Sequence, residues 1–174
     1  MNDVLIKGLE IIEGCSHLDN RGAFSRLFCA RELEPFIEQK RIVQINHSLT
    51  RTVGTIRGMH YQKPPHQEIK IVRCLRGRVF DVIVDLRRSS PTFLRWVAVD
   101  LCSDKLKAVI IPEGCAHGFQ VLEENSELLY LHTAFYSPDS ESGVHFNDPK
   151  LSIDWPLAPV EVSARDQNHP FLIS

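Results

Sequence analysis

The stretch RGMHYQKPPHQEIK, residues 57–70, carries many of the side chains in this sequence that could do chemistry. It sets two histidines, His60 and His66, and two glutamines around a pair of prolines, just before an apolar run. Histidines this close in sequence are often ligands of a metal ion. The alternative is that His60 moves a proton and that His66 lies in a proline loop without a chemical role.

The spacing of metal-ligand motifs tests the first hypothesis. Small jelly rolls often hold a metal with one motif of the form G-x5-H-x-H-x(3,4)-E and a later one of the form P-x-G-x2-H. His60 fits the opening of the first motif, but Gln62 stands at its second histidine and no acid stands at its carboxylate position. PEGCAH, residues 112–117, fits the second motif. Two imidazoles and neutral amides fall short of the three or four ligands that a catalytic transition metal usually has, so we expect no metal.

A histidine that faces a pocket without a metal is a candidate general base, because the pKa of an unperturbed imidazole lies near neutrality. Asp166, in the segment VSARD, is a carboxylate that could orient His60 and stabilise its charged form. Lys70 could offer a fixed positive charge to a developing oxyanion. The structural alternatives are a hydrogen-bonded core histidine and a solvated lysine, but the polar surroundings of His60 favour the chemical interpretation.

Tyr130 lies in an apolar stretch, where a tyrosine is most often a core residue with a bonded hydroxyl. Its spacing from His132 and Tyr136 puts all three on one face of a strand, and that face is more polar than a core face needs to be. We therefore expect this face to line a pocket, where the phenol of Tyr130 could donate a proton. A base and an acid on opposite sides of a carbon are what inversion of a stereocentre requires.

The elements that must position these residues are short strands. β-Branched and aromatic residues cluster between turn signals over residues 70–114, which predicts four successive strands. VFDVIVDL (79–86) and ELLYLHTAFY (127–136) alternate with a period of two. One helix is predicted over residues 31–40, and Pro35 interrupts it. This pattern predicts an all-β protein with minor short helices, and a jelly roll closing over a pocket is the preferred architecture.

Composition excludes several classes of partner. The 174 residues predict a single domain over 1–174, and 20 basic against 22 acidic residues give no field that would select nucleic acid. We expect no membrane partner and a cytoplasmic location, because the sequence shows neither a targeting segment nor a long apolar stretch. The five cysteines are widely spaced without a CxxC, which favours reduced thiols that act as small core residues.

Several longer segments together carry a resemblance to a known family. They are DNRGAFSRLF (19–28), QINHS (44–48), the block from Gly54 to Phe93, IPEGCAHGFQVL (111–122), the Tyr130 strand, YSPDSESGVHFNDPKLSIDWP (136–156) and VSARD (162–166). In these segments the chain resembles the dTDP-4-dehydrorhamnose 3,5-epimerase family over nearly its whole length. The block from RGMH to SPTF together with PEGCAHGF is highly specific, whereas PEG or NDP alone would be weak.

The resemblance implies a fold and a set of roles. It implies a cupin-type jelly roll that is a homodimer and uses neither a metal nor an organic cofactor. His60 corresponds to the base, Asp166 to its partner, Tyr130 to the acid and Lys70 to the lysine that stabilises the enolate. The positions expected to contact the nucleotide-sugar substrate are Arg21, Arg26, Gln44, Asn46, Arg57, His117, Tyr136, Glu141 and Arg165, with His117 against the sugar and Tyr136 stacked on the base.

The implied reaction needs no redox cofactor. A ketone at C4 of the sugar acidifies the protons on C3 and C5, so that one base can abstract either proton if the enolate oxygen meets a positive charge. Reprotonation from the other face then inverts the carbon. The absence of a Gly-rich dinucleotide fingerprint agrees with this chemistry.

Some residues depart from the family pattern. Arg26 stands where many relatives carry a glutamate, which indicates either a different sugar or nucleotide or a changed surface pair, and we favour the first. Met59 and Cys115 change packing or pocket lining, and His132 adds a titratable group on the Tyr130 face. None of these removes the proposed base or acid.

Other functions remain as alternatives. A relative that inverts only C3 or only C5, or that acts on another nucleotide sugar, is the nearest, and a ketoisomerase that also enolises its substrate is further off. A metal-dependent cupin oxygenase and a sugar-binding jelly roll without catalysis belong to different classes. The missing metal ligands argue against the oxygenase, and the retained base and acid argue against the binding protein.

Overall fold

The computed structural model describes residues 6–37 and 39–172 and consists mainly of strands. The strands are β1 (Glu10–Ile12), β2 (Ser16–Asp19), β3 (Gly22–Ser25), β4 (Gln44–Thr50), β5 (Ile56–Gln62), β6 (Lys70–Arg76), β7 (Arg78–Asp85), β8 (Trp96–Cys102), β9 (Ala108–Ile111), β10 (Cys115–Val121), β11 (Ser126–His132) and β12 (Glu141–Gly143). The helices are α1 (Ala30–Leu33) and α2 (Ala164–Gln167), with 3₁₀ turns at Glu34–Phe36 and Ser103–Lys105. The four strands predicted over residues 70–114 are β6 to β9, and this prediction is confirmed.

Two five-stranded antiparallel sheets form the body of the fold. One has the strand order β1-β9-β6-β11-β4 and the other the order β12-β5-β10-β7-β8, while β2 and β3 form a separate hairpin. The main core lies between the sheets, because it combines Val72 and Leu128 of the first with Val79, Ile83 and Phe119 of the second. This is the expected jelly roll.

Each sheet also buries its outer face. Ile71, Ile110 and Leu131 pack under α1 and the turn after it, and Val82, Val84 and Met59 pack under the segment that holds Leu151 and Trp155. The predicted alternation in VFDVIVDL is therefore confirmed, with one face turned to the main core and the other to this second layer.

The helix prediction was wrong in its extent. The helix predicted over 31–40 is a single turn, α1, followed by the 3₁₀ turn that contains Pro35, because proline supplies no amide for a continuing helix. The second helix, α2, was not predicted. Its N-cap is Ser163, whose hydroxyl accepts the Asp166 amide at 3.1 Å.

The cysteines only partly follow the prediction. Cys74 and Cys115 are buried and free, as expected of core residues, whereas Cys15 is exposed. No helix among the described residues combines the length and apolarity needed to cross a bilayer.

Candidate active site

A cavity of about 990 Å³ opens between strands of the two sheets. Of the residues predicted to act on or contact a substrate, all except Arg21 and Arg26 line it: Gln44, Asn46, Arg57, His60, Lys70, His117, Tyr130, Tyr136, Glu141, Arg165 and Asp166. Segments far apart in sequence thus meet at one site, as the interpretation of these residues requires.

The half-buried His60 and the buried Asp166 form a pair at one wall of the cavity. His60 Nε2 lies 2.8 Å from Asp166 Oδ1, and the other carboxylate oxygen accepts the Gly58 amide at 3.0 Å. Gly58 has φ +133°, and a Cβ there would meet the Gly118 backbone at 2.5 Å, so only glycine fits this position. Burial would raise the pKa of Asp166, but the hydrogen bonds from His60 and Gly58 hold that pKa well below its usual range.

The charge on Asp166 decides which nitrogen of His60 is free. An ionised carboxylate can only accept hydrogen bonds, so His60 Nε2 carries the proton and Nδ1 keeps its lone pair. Arg165 Nη2 lies 3.2 Å from the same Nε2, but a guanidinium can only donate and makes no hydrogen bond to an N–H. Nδ1 is therefore the candidate basic atom.

Tyr130 lies on β11, in the sheet opposite to the one that carries His60 on β5. Its hydroxyl lies 3.1 Å from Ser48 Oγ, and burial raises the pKa of the phenol, so that it holds its proton. The ring meets His117 edge-on, with 6.2 Å between centroids. A protonated donor therefore faces the cavity from the opposite sheet to the His60 pair.

The ring of His117 is held in position by Asp81, which was not predicted as a site residue. Its Nε2 lies 2.7 Å from Asp81 Oδ1, and both side chains are buried. Asp81 could have been found from the sequence. A carboxylate within the apolar run VFDVIV is expected to be buried, and buried charges are almost always paired.

Lys70 also has an acidic neighbour that was not predicted. Glu68 Oε1 lies 3.4 Å from Lys70 Nζ, and Glu68 Oε2 accepts from His132 Nδ1 at 2.7 Å. Asn46 Nδ2 lies 3.3 Å from His132 Nε2 and continues the network. Burial would raise the pKa of Glu68, but the bonds to His132 and Lys70 lower it, so the carboxylate stays ionised and anchors the ammonium at the cavity wall.

A second polar chain lies at the exposed end of the cavity. The Tyr136 hydroxyl donates to Glu141 Oε2 at 2.8 Å, and Arg165 Nη1 donates to Glu141 Oε1 at 2.9 Å. Gln44 Oε1 accepts the Tyr136 amide at 3.1 Å. The half-exposed aromatic ring and the guanidinium are thus held side by side, where a base and a phosphate group could be bound.

Arg21 and Arg26 lie outside the cavity of this chain. Arg21 is at the tip of the β2–β3 hairpin, paired with Asp19 at 2.6 Å, and Arg26 is paired with Glu32 at 2.7 Å. Both arginines are exposed. Within one chain, Arg26 is therefore part of a surface ion pair and does not line the cavity.

The residues tested against the metal motifs have structural partners. Gln62, at the position of the second histidine, donates to the carbonyls of His66 and Phe135 and accepts the Ser137 amide. His66 Nδ1 lies 2.8 Å from Ser140 Oγ in an exposed loop. These contacts hold loops together and leave no donor set at the motif position.

Comparisons with known proteins agree with this geometry. Residues 3–174 match the model of the family described as dTDP-4-dehydrorhamnose 3,5-epimerase. An enzyme of that name from Shigella flexneri is 43% identical over 151 residues, 86% of this chain and 83% of the relative.

Two solved structures are similar in fold as well as in sequence. dTDP-6-deoxy-D-glucose-3,5-epimerase from Legionella pneumophila, in complex with dTDP-4-keto-L-rhamnose, has a TM-score of 0.91 and 41% identity over 95% of this chain and 88% of that chain. A 3'-monoepimerase from Streptomyces bikiniensis, in complex with dTDP-quinovose, has a TM-score of 0.89 and 32% identity, over 98% of this chain and 87% of that chain. The expected cupin-type jelly roll is confirmed.

Proposed function

The chain belongs to the dTDP-4-dehydrorhamnose 3,5-epimerase family, and from this premise we propose that His60 is the base and Tyr130 the acid of its reaction. The protein is an isomerase of deoxysugar biosynthesis that epimerises a nucleotide-linked 4-keto-6-deoxyhexose. The observation that carries the assignment of roles is the position of the His60–Asp166 pair and of Tyr130 on opposite sheets of one cavity.

The first half of the reaction uses the free nitrogen of His60. Nδ1 takes the proton from C3 or C5, the C–H electron pair forms the enolate, and the charge develops on the C4 oxygen. Asp166 stabilises the resulting imidazolium through Nε2. Lys70 offers its ammonium to the enolate oxygen, which lowers the barrier because the charge is already in place.

The second half uses the phenol on the other side. Tyr130 gives its proton to the opposite face of the same carbon, which inverts the centre and leaves a tyrosinate beside an imidazolium. His60 then releases its proton to solvent and Tyr130 takes one up from solvent, which restores both groups. The substrate supplies its own keto group, so the cycle neither consumes nor needs an oxidant.

The exposed end of the cavity is assigned to the nucleotide. Tyr136 stacks on the base, and Arg165 and Arg57 neutralise the diphosphate. The hydrogen bond that Arg57 Nε donates to Thr50 Oγ1, at 2.9 Å, supports a fixed direction for that guanidinium. Gln44 and Asn46 of β4 also line the cavity and supply further polar contacts.

We also propose a homodimer whose partner copy completes each site. β4 is the outermost strand of its sheet, and Ile45 and Leu49 of β4 are exposed together with Val43 just before it. The β2–β3 hairpin presents exposed Leu18 and Phe24 beside Arg21. A second copy that covers these apolar side chains would bring Arg21 and Arg26 to a substrate that they cannot reach within one chain.

A single-site epimerase is the second candidate, because a 3'-monoepimerase is among the structural relatives. Incubation with dTDP-4-keto-6-deoxyglucose in deuterated water, followed by NMR of the sugar, separates the two. Label at C3 and C5 is expected of a 3,5-epimerase, and label at one carbon assigns a single-site enzyme. No label at either carbon would contradict the proposed substrate.

A further inference from the structure

His169 lies against the proposed catalytic pair and has no role in the mechanism above. Its ring meets that of His60 edge-on, with 5.5 Å between centroids, and its Nε2 lies 3.7 Å from Asp166 Oδ1. Nε2 is buried and forms no hydrogen bond within the described part of the chain. A buried nitrogen without a partner costs stability, which raises the question of what it could bind.

The fold holds this imidazole in place. Gly143 on β12 is the register partner of His60 on β5. A Cβ at Gly143 would overlap the His169 ring, so the absence of a side chain there leaves the space that the ring fills. His169 is therefore packed between β12 and the His60–Asp166 pair.

We propose that His60, Asp166 and His169 form a binding site for a divalent transition metal of the zinc class, and that the bound metal blocks the base. Their donor atoms all lie within 4.8 Å of one another. Zinc bonds of about 2.0–2.1 Å place tetrahedral ligands roughly 3.3 Å apart. The separations of 2.8 Å and 3.7 Å from Asp166 Oδ1 lie on either side of that value, so side-chain shifts that bring the two imidazole nitrogens together would complete the site.

Some charged groups at the site favour a bound cation and others oppose it. Metal ligands must offer a free lone pair, and the buried Asp166 carboxylate brings a negative charge to a bound cation. The Arg165 guanidinium, near both His60 and Asp166, opposes a cation, whereas Glu141 on its other side favours one. Removing the positive charge with Arg165→Gln should tighten metal binding.

A bound metal would block His60 as a base because of the lone pairs that the imidazole ring has available. A metal on Nε2 of His60 takes the electron pair of that nitrogen, so the ring proton moves to Nδ1. Neither nitrogen can then accept a proton from the sugar. This step rests on the proposed role of His60, whereas metal binding itself does not.

The experiment measures both properties separately. Zn²⁺ is titrated calorimetrically into chelator-treated protein without substrate, in a Cys15→Ser background because Cys15 is an exposed thiol. The variants are His169→Leu and, as a matched control, His145→Gln, whose ring is stacked between Phe146 and Phe171. Inhibition of epimerisation by Zn²⁺, and its reversal by EDTA, are measured on the same samples.

The expected result is one strong site per chain that His169→Leu weakens at least about tenfold and His145→Gln leaves unchanged. Zn²⁺ inhibition should weaken in parallel. If His169→Leu does not fold, His169→Gln tests the same ligand with a polar side chain. Equal zinc affinity of the parent and His169 variants would overturn the site, and strong binding at His169 without inhibition would overturn the blocking step.

Discussion

Asp166 Oδ1 and His60 Nε2 are 2.8 Å apart, and this contact determines which atom of the histidine can act as a base. Because the carboxylate must accept, the proton stays on Nε2 and the lone pair of Nδ1 is left for the substrate. Asp166 thus sets the tautomer of His60 and stabilises the cation that forms when His60 takes a proton.

Replacing Asp166 by asparagine tests this dependence. Asp166→Asn removes the charge that stabilises the imidazolium and no longer fixes the tautomer, so kcat should fall by about 100- to 10,000-fold. KM should change less than kcat, since the carboxylate reaches the groups assigned to the nucleotide only through its contact with Arg165 at 3.3 Å. Steady-state kinetics of the purified variant gives both values. A raised KM with an unchanged kcat would contradict the assigned role.

Lys70 is expected to act through its charge. Lys70→Gln leaves the enolate oxygen without an ammonium, and kcat should fall by about 100- to 1,000-fold. Lys40→Gln is the matched control, because Lys40 also pairs with a glutamate, Glu113, but lies outside the cavity. If the two variants lose activity equally, the ammonium at the cavity wall has no special part in the reaction.

The dimer can be tested by mixing two inactive variants. His60→Asn removes the base of its own site, and Arg21→Ala removes the arginine offered to the partner's site. In a mixed dimer, the cavity of the Arg21→Ala chain is completed by the hairpin of the His60→Asn chain, so one site per dimer is intact. Equal amounts that exchange freely should recover about a quarter of the parent activity. Light scattering that shows a monomer, or a mixture without recovery, would contradict the shared site.

Asp85 should make stability depend on pH without affecting the chemistry. Burial would raise its pKa, but hydrogen bonds from Arg87, Ser90 and Thr92 hold that pKa well below its usual range. As the pH falls, the unfolded chain binds a proton first, so this contribution is present above the unfolded pKa and is lost between about pH 5 and pH 1. Asp85→Asn should lower the free energy of unfolding by roughly 1–3 kcal/mol at neutral pH.

Urea denaturation at several pH values measures the effect. The difference in unfolding free energy between the parent and Asp85→Asn should narrow as the pH falls toward about 3, because the parent loses its own contribution there. A difference that stays constant with pH would show that the charge of Asp85 is not its cause.

Part of this structure could be predicted from local sequence patterns. Strands β7 and β11 were predicted from their alternation, since their side chains pack on two different layers. The prediction for β11 was too long, because the strand ends at His132 and Tyr136 lies beyond it. The helix around Pro35 was predicted too long, and α2 was missed, because a single turn held by the Ser163 cap has no periodicity to detect.

The site residues likewise divide into those that local sequence patterns reveal and those that only the tertiary structure brings together. His60, Lys70 and Tyr130 lie in distinctive segments, whereas Asp166 was linked to them by resemblance and chemical logic alone. His169 carries no local signal: its importance comes from contacts with His60 and Gly143, more than twenty residues away in each case. Glu68 lies two residues before the selected Lys70, but its bond to His132 depends on the pairing of β6 with β11.

The assignment of base and acid is tested most directly by separating proton exchange from inversion. In deuterated water, Tyr130→Phe should still allow His60 to exchange the substrate proton on its own side, so label enters with the original configuration and epimerised product is lost. His60→Asn should lose both exchange and inversion, with an enzyme-free sample as the background. Inversion at the parent rate in Tyr130→Phe, or exchange at the parent rate in His60→Asn, would contradict the account.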